Sequence, residues 1–125
     1  MCVFTNFLFF LIMITVYHNP RCSKSRDGIC FLDELNEHYE VIKYLDEGIS
    51  VDVLTDLIAK LNIKPIELVR VKEKIWIDNF KNKILTDTEI IQIMSENPKL
   101  IERPIVIKNN KAVIARPTEK IKEII

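Results

Sequence analysis

Residues 13–26 read MITVYHNPRCSKSR, and this stretch decides the fold. Met13 to Tyr17 carries β-branched and aromatic side chains and stops at Asn19-Pro20, the pattern of a buried strand entering a turn. Beyond the turn, Ser25 to His38 places Ile29, Leu32 and Leu35 about one per helical turn. Gly28 interrupts that helix at a cost of about 1 kcal/mol. Glu40 to Leu45 (EVIKYL) reads as a second strand. Strand, helix, strand over this length implies a parallel pair joined by a right-handed crossover.

The pattern changes further out. Ser50 caps a helix whose apolar face is Leu54, Leu57, Ile58 and Leu61, ending near Asn62, and Pro65 begins another short one. Thr86 and Glu89 form a capping box ahead of Ile90, Ile91 and Met94, and Asn97-Pro98 stops that helix. Pro104 to Ile107 and Ala112 to Ala115 are short apolar strands around Lys108-Asn109-Asn110-Lys111, whose asparagines tolerate the positive φ of a tight hairpin. Thr118 to Ile125 closes as a helix. The expected fold is α/β: βαβ, a helical insert over about 50–97, then ββα. Together these form one domain over 13–125 with a four-stranded mixed sheet flanked by helices.

Eighteen basic and eighteen acidic residues give no net charge, so neither a nucleic-acid stripe nor a charged tail is present, and any anion site must be local. The cysteines Cys2, Cys22 and Cys30 are an odd, unpatterned set that fits a reducing compartment, with the cytoplasm the expectation. Phe7 to Val16 (FLFFLIMITV) is too short to span a bilayer as a helix, and neither a preceding Lys or Arg nor a cleavage pattern marks a signal peptide. The plainer reading makes Met13 the natural start and residues 1–12 an apolar lead-in.

Cys22 falls at or just before the first helical turn, where the amides of Ser23, Lys24 and Ser25 have no intrahelical partner. Those donors and the helix dipole favour an anion, and cysteines so placed beside cations have pKa values lowered from about 8.5 to about 3.5–7.5. His18, Lys24 and Arg26 supply nearby cations, with Arg26 one turn beyond Cys22 on the same face. The same stretch would hold an oxyanion against the sulfur, with Ser25 among the groups that meet it. The residue three beyond Cys22 is Ser25, so a self-contained dithiol pair is absent, and Gly28 stands where a phosphatase C-x5-R motif needs arginine.

What remains is H-x3-C-x3-R. With Tyr17-His18-Asn19-Pro20, Leu100-Ile101-Glu102-Arg103-Pro104-Ile105-Val106 and Ala115-Arg116-Pro117-Thr118-Glu119, the chain from Met13 to Ile125 resembles the glutaredoxin-dependent arsenate reductases of ArsC type, built on the thioredoxin fold. The resemblance implies that Cys22 attacks arsenate held by Arg70, Arg103 and Arg116, with His18 favouring the thiolate and Arg26 completing the catalytic loop. Arginine suits this role because its planar, permanently charged fork grips two oxygens at once. The resemblance also implies that glutathione as co-substrate and glutaredoxin as partner complete reduction to arsenite. A monomer without bound cofactor is expected, and the balanced charge, the short apolar run and the lack of metal-ligand spacing argue against nucleic-acid, membrane and metal partners. By the same resemblance Arg103-Pro104 is expected to be cis, facing Cys22.

Two other classes share these residues: a thiol oxidoreductase acting on glutathione mixed disulfides, and a non-enzymatic Spx-like transcription regulator. The missing C-x-x-C weighs against the regulator. Cys30 lies eight residues past Cys22, about 12 Å along the helix, and reads as core or bystander. His38 reads as a helix-end cation and Trp76 as core, and no residue cluster has metal-ligand spacing.

Overall fold

The structure, a computed structural model, describes residues 14–125, so Cys2, Met13 and the apolar lead-in lie outside the described residues. Two compact units divide the chain: one runs up to Lys43 and resumes from Arg103 to Ile125, and the other spans Tyr44–Glu102.

The first unit is built on the sheet. β1 (Ile14–Tyr17) is followed by α1 (Ser23–Glu34) and β2 (Tyr39–Ile42), and after the second unit by β3 (Ile105–Lys108) and β4 (Lys111–Ile114). The strand order is β2-β1-β3-β4. β1 pairs parallel to β2 and antiparallel to β3, with Val16 opposite Val41 on one side and Val106 on the other. β3 and β4 close the expected hairpin, in which Asn109 takes a positive φ of 58°.

Alternation along the strands puts Ile14, Val16, Val106, Val113 and Tyr39 on one face, where they pack against Ile29, Phe31 and Leu32 of α1. Ile121 and Ile124, in and just after the terminal 3-10 helix Thr118–Glu123, complete that layer. Full burial of each such aliphatic side chain contributes about 1.5–3 kcal/mol relative to leaving it exposed. The final segment thus forms a 3-10 helix where a longer helix to Ile125 was expected.

α1 begins two residues earlier than its apolar spacing suggests and ends at Glu34 instead of His38. Asn36 takes a left-handed φ of 56° that terminates it, leaving Leu35 exposed at the surface and His38 outside the helix. β2 is likewise shorter than expected, because Tyr44–Glu47 turns into a helical segment (α2) whose Tyr44 is buried. Gly28 finds its reason in packing. A Cβ added there would meet Pro104 Cγ at 2.8 Å, so the ring lies directly on the helix backbone. The Arg103-Pro104 bond is cis, as expected, and Arg116-Pro117 is cis as well.

The second unit is helical. Ser50 caps α3 (Val51–Leu61), its Oγ accepting from the Val53 amide at 3.2 Å, and Asn62 ends it with φ 55° and ψ 47°. The Thr86–Glu89 capping box opens α5 (Asp87–Glu96). Leu54, Leu57 and Ile58 of α3 are buried, as are Ile90, Ile91, Ile93 and Met94 of α5, and the two helices pack together. Between them lie a 3-10 turn at Pro65–Leu68 and α4 (Lys74–Asn79), a helix the apolar spacing does not announce. α4 buries Trp76, whose ring lies 5.6 Å from that of Phe80. Val69 and Ile101 form an isolated antiparallel bridge.

Candidate active site

Cys22 is the N-cap of α1, with extended backbone at φ −103° and ψ 124°. The turn that places it is an Asx turn: Asn19 Oδ1 accepts from the Arg21 amide at 3.0 Å, and the Asn19 carbonyl accepts from the Cys22 amide at 3.0 Å. The Cys22 carbonyl then takes the first helical bond, from the Arg26 amide. The sulfur makes no close capping bond, yet the amides of Ser25 and Lys24 face it and favour its anion.

A second contact arrives from across the fold. Arg103, 81 residues away in sequence, donates from Nε to Cys22 Sγ at 3.1 Å. Burial alone would push the thiol up. The Ser25 amide, the Arg103 hydrogen bond, the Lys24 amide and the Arg103 charge outweigh it and hold Cys22 below the ordinary cysteine value. The first turn of α1 carries no acidic side chain, so its amides face the thiolate without competition from a carboxylate.

Ser25 departs from the expected role. Its side chain is wholly buried, and its Oγ accepts from the Asn19 amide at 2.9 Å and lies 2.7 Å from His18 Nδ1. The hydroxyl is therefore occupied in tying the loop together, and what Ser25 offers the site is its amide. His18 departs too. Burial, then the charges of Lys43 and Arg26, lower its pKa, so at neutral pH the ring is uncharged. His18 Nδ1 and the Ser25 hydroxyl share this hydrogen bond, whose direction follows from the tautomer of the ring. The histidine acts as a neutral prop for the loop, and the cation on the sulfur is Arg103. Arg26 closes the same loop from the other side, donating from Nη1 to the Pro20 carbonyl at 2.9 Å.

Arg116 lines a recess of about 340 Å³ with Lys24 and Asp27 of α1 and with Ala115, Pro117, Thr118 and Glu119. Arg70 belongs to the second unit, where its Nη2 pairs with Glu73 Oε1 at 2.7 Å and its Nη1 donates to the Lys99 carbonyl at 3.2 Å. Cys30 is exposed, facing outward from α1, so it is not a core residue, and the bystander reading remains. Asn19, read from the sequence as part of the turn after β1, also holds the Cys22 loop with its side chain, and Lys43, whose charge bears on His18, is not singled out by the sequence. The Asx-turn propensity of Asn-Pro was the available signal for Asn19, whereas nothing local links Lys43 to His18. Among the described residues no group of three His, Cys, Asp or Glu side chains could hold a metal ion. No helix among them is long and apolar enough to cross a membrane.

A thioredoxin-like four-stranded sheet carries, at the N-cap of the following helix, a cysteine whose sulfur accepts from the guanidinium of an arginine in the segment leading into β3. The chain belongs to the ArsC family, whose model matches residues 17–124. It is 42% identical over 114 residues to the uncharacterized protein YfgD of Escherichia coli, covering 90% of this chain and 96% of that one. It is 37% identical over 114 residues to an arsenate reductase of Haemophilus influenzae, covering 90% and 98%. The structure of an arsenate reductase from Vibrio cholerae superposes with a TM-score of 0.87 at 38% identity, covering 91% of this chain and 98% of that one.

Proposed function

We propose that this protein is an arsenate reductase that takes its electrons from glutathione and glutaredoxin. The observation that carries the reading is Arg103 Nε on Cys22 Sγ at 3.1 Å, which joins a nucleophile to an oxyanion-binding cation in one contact. Family membership and curated relatives named arsenate reductase support the substrate.

The thiolate attacks arsenic, a S–As bond forms, and an oxygen leaves as hydroxide or water, giving a cysteine–arsenate adduct. Arg103 and the α1 amides then face the charge that was on the sulfur and spread it over the oxyanion. Arg116 serves as a second oxyanion contact, and Arg70 is assigned a third on its motif alone. Neutral His18 with Ser25 and Asn19 keeps the loop in register, so no step asks His18 for a proton. We place the reaction in the cytoplasm and on a monomer without bound cofactor.

The test is arsenite production by the purified protein. Turnover is expected only when arsenate, glutathione and glutaredoxin are all present. Turnover of a glutathione mixed disulfide with none of arsenate would overturn the reading in favour of a thiol oxidoreductase. Turnover of neither would point to the Spx-like, non-enzymatic class.

A further inference from the structure

Gly28 stands buried in the interior of α1, six residues beyond Cys22, where an alanine would serve the helix better. A Cβ at this position would meet Pro104 Cγ at 2.8 Å and Pro104 Cβ at 3.7 Å. Carbon atoms in favourable contact stand about 3.5–4.0 Å apart, so a single methyl group would force the ring and the helix apart by about 0.7 Å or more.

That ring cannot give way alone. The pyrrolidine closes onto the backbone at both of its ends, so a displaced ring takes the main chain with it. Downstream the chain is held: the Pro104 carbonyl accepts from the Ala115 amide at 2.9 Å, and Ile105, the first residue of β3, is paired with Tyr17 of β1 and Ile114 of β4. The helix is held too, because Ile29 and Leu32, just beyond Gly28, pack into the core over the sheet. The displacement therefore falls on the residue just upstream of the ring. That residue is Arg103, whose Nε donates to Cys22 Sγ at 3.1 Å. A shift of this size is comparable with the whole usual spread of hydrogen-bond lengths, about 0.5 Å. The Ser25 and Lys24 amides that also face the sulfur belong to α1 and move with it, so Arg103 is the contact exposed to the change.

We propose that Gly28 is a positioning residue for Arg103: its lack of a side chain seats the Pro104 ring directly on α1, and that seat brings the guanidinium onto the Cys22 sulfur. Gly28 acts through the Arg103-Pro104 pair and not on the sulfur itself. This role concerns the thiol alone and holds whether or not arsenate is the substrate.

The test is the pH dependence of iodoacetamide alkylation at Cys22, without arsenate, in the full chain with Cys2 and Cys30 replaced by serine. Gly28→Ala should raise the midpoint by at least half of the shift that Arg103→Ala causes, although alanine favours the helix. In protein already carrying Arg103→Ala, Gly28→Ala should leave the midpoint where it is, because no guanidinium remains to be displaced. A glycine needed only for folding would change the melting temperature and leave the midpoint alone. A smaller rise than expected, or none, overturns the proposal, as does a rise of equal size in the two backgrounds or a midpoint indifferent to Arg103 itself. Pro104→Ala takes the ring from its seat with Gly28 intact, and it decides the case if Gly28→Ala does not fold: the midpoint should rise, and an unchanged midpoint overturns the proposal.

Discussion

The two described cysteines share one helix and differ in almost everything that governs reactivity. Cys22 caps the N-terminus of α1, where amides converge and Arg103 reaches its sulfur. Cys30 lies in the second half of the same helix, exposed, near Asp33, whose carboxylate accepts from the Tyr39 hydroxyl at 2.6 Å. That hydrogen bond, with burial and the negative charge beside it, pushes the Tyr39 pKa up to about 12. No basic residue occupies the last turn to offset the carboxylates there. One end of the helix is thus arranged for an anion and the other is already supplied with anions. The difference teaches that the setting of a thiol here depends on where the helix begins and on what the segment leading into β3 delivers to that point.

The sharpest way to break the comparison is to exchange its members. Cys22→Ser should abolish arsenate turnover, since a serine hydroxyl there is not appreciably ionised, while Cys30→Ser should retain most of it. Arg103→Ala should lower kcat/KM by about 10- to 150-fold, the equivalent of the roughly 1.5–3 kcal/mol of a hydrogen bond to a charged group, and should raise the Cys22 alkylation midpoint. Arg116→Ala should lower kcat/KM and leave that midpoint in place, which separates an arginine on the oxyanion from one on the sulfur. Ser25→Ala leaves the buried Asn19 amide and His18 Nδ1 without their shared partner, and should reduce unfolding free energy by about 1–3 kcal/mol in urea titrations.

The smallest expected effect is the pH response of His18. Its pKa is lowered on folding by burial and by Lys43 and Arg26, so below about pH 6.5 the unfolded chain takes up a proton before the folded one does. Stability is therefore full above that pH and declines as pH falls toward the folded value. His18→Gln should flatten that decline, and an unchanged slope would remove the histidine from the account.

Much of this was legible in the sequence because the signals were local. The strand–turn–cysteine order, the Ser50 and Thr86 caps and the Asn109 turn each follow from residues within a few positions of one another. The less legible parts depend on contacts between distant segments. Arg103 is assigned by motif to the oxyanion, but its position on the sulfur depends on a segment 81 residues downstream. His18 looked cationic because sequence spacing does not show burial or the charge of Lys43. Gly28 read as a helix defect until Pro104 came to lie against it. α4 was missed because its six residues are too few for a periodic apolar stripe, with only Trp76 carrying its burial.

The central claim is that the α1 amides and Arg103 hold the Cys22 thiol below the ordinary cysteine range. It is tested most directly by the pH dependence of iodoacetamide alkylation at Cys22, in protein with Cys2 and Cys30 replaced by serine. The account predicts a midpoint clearly below the ordinary value of about 8.5, moving upward in Arg103→Ala and little in His18→Ala. A midpoint at or above about 8.5, or one indifferent to Arg103, would contradict it.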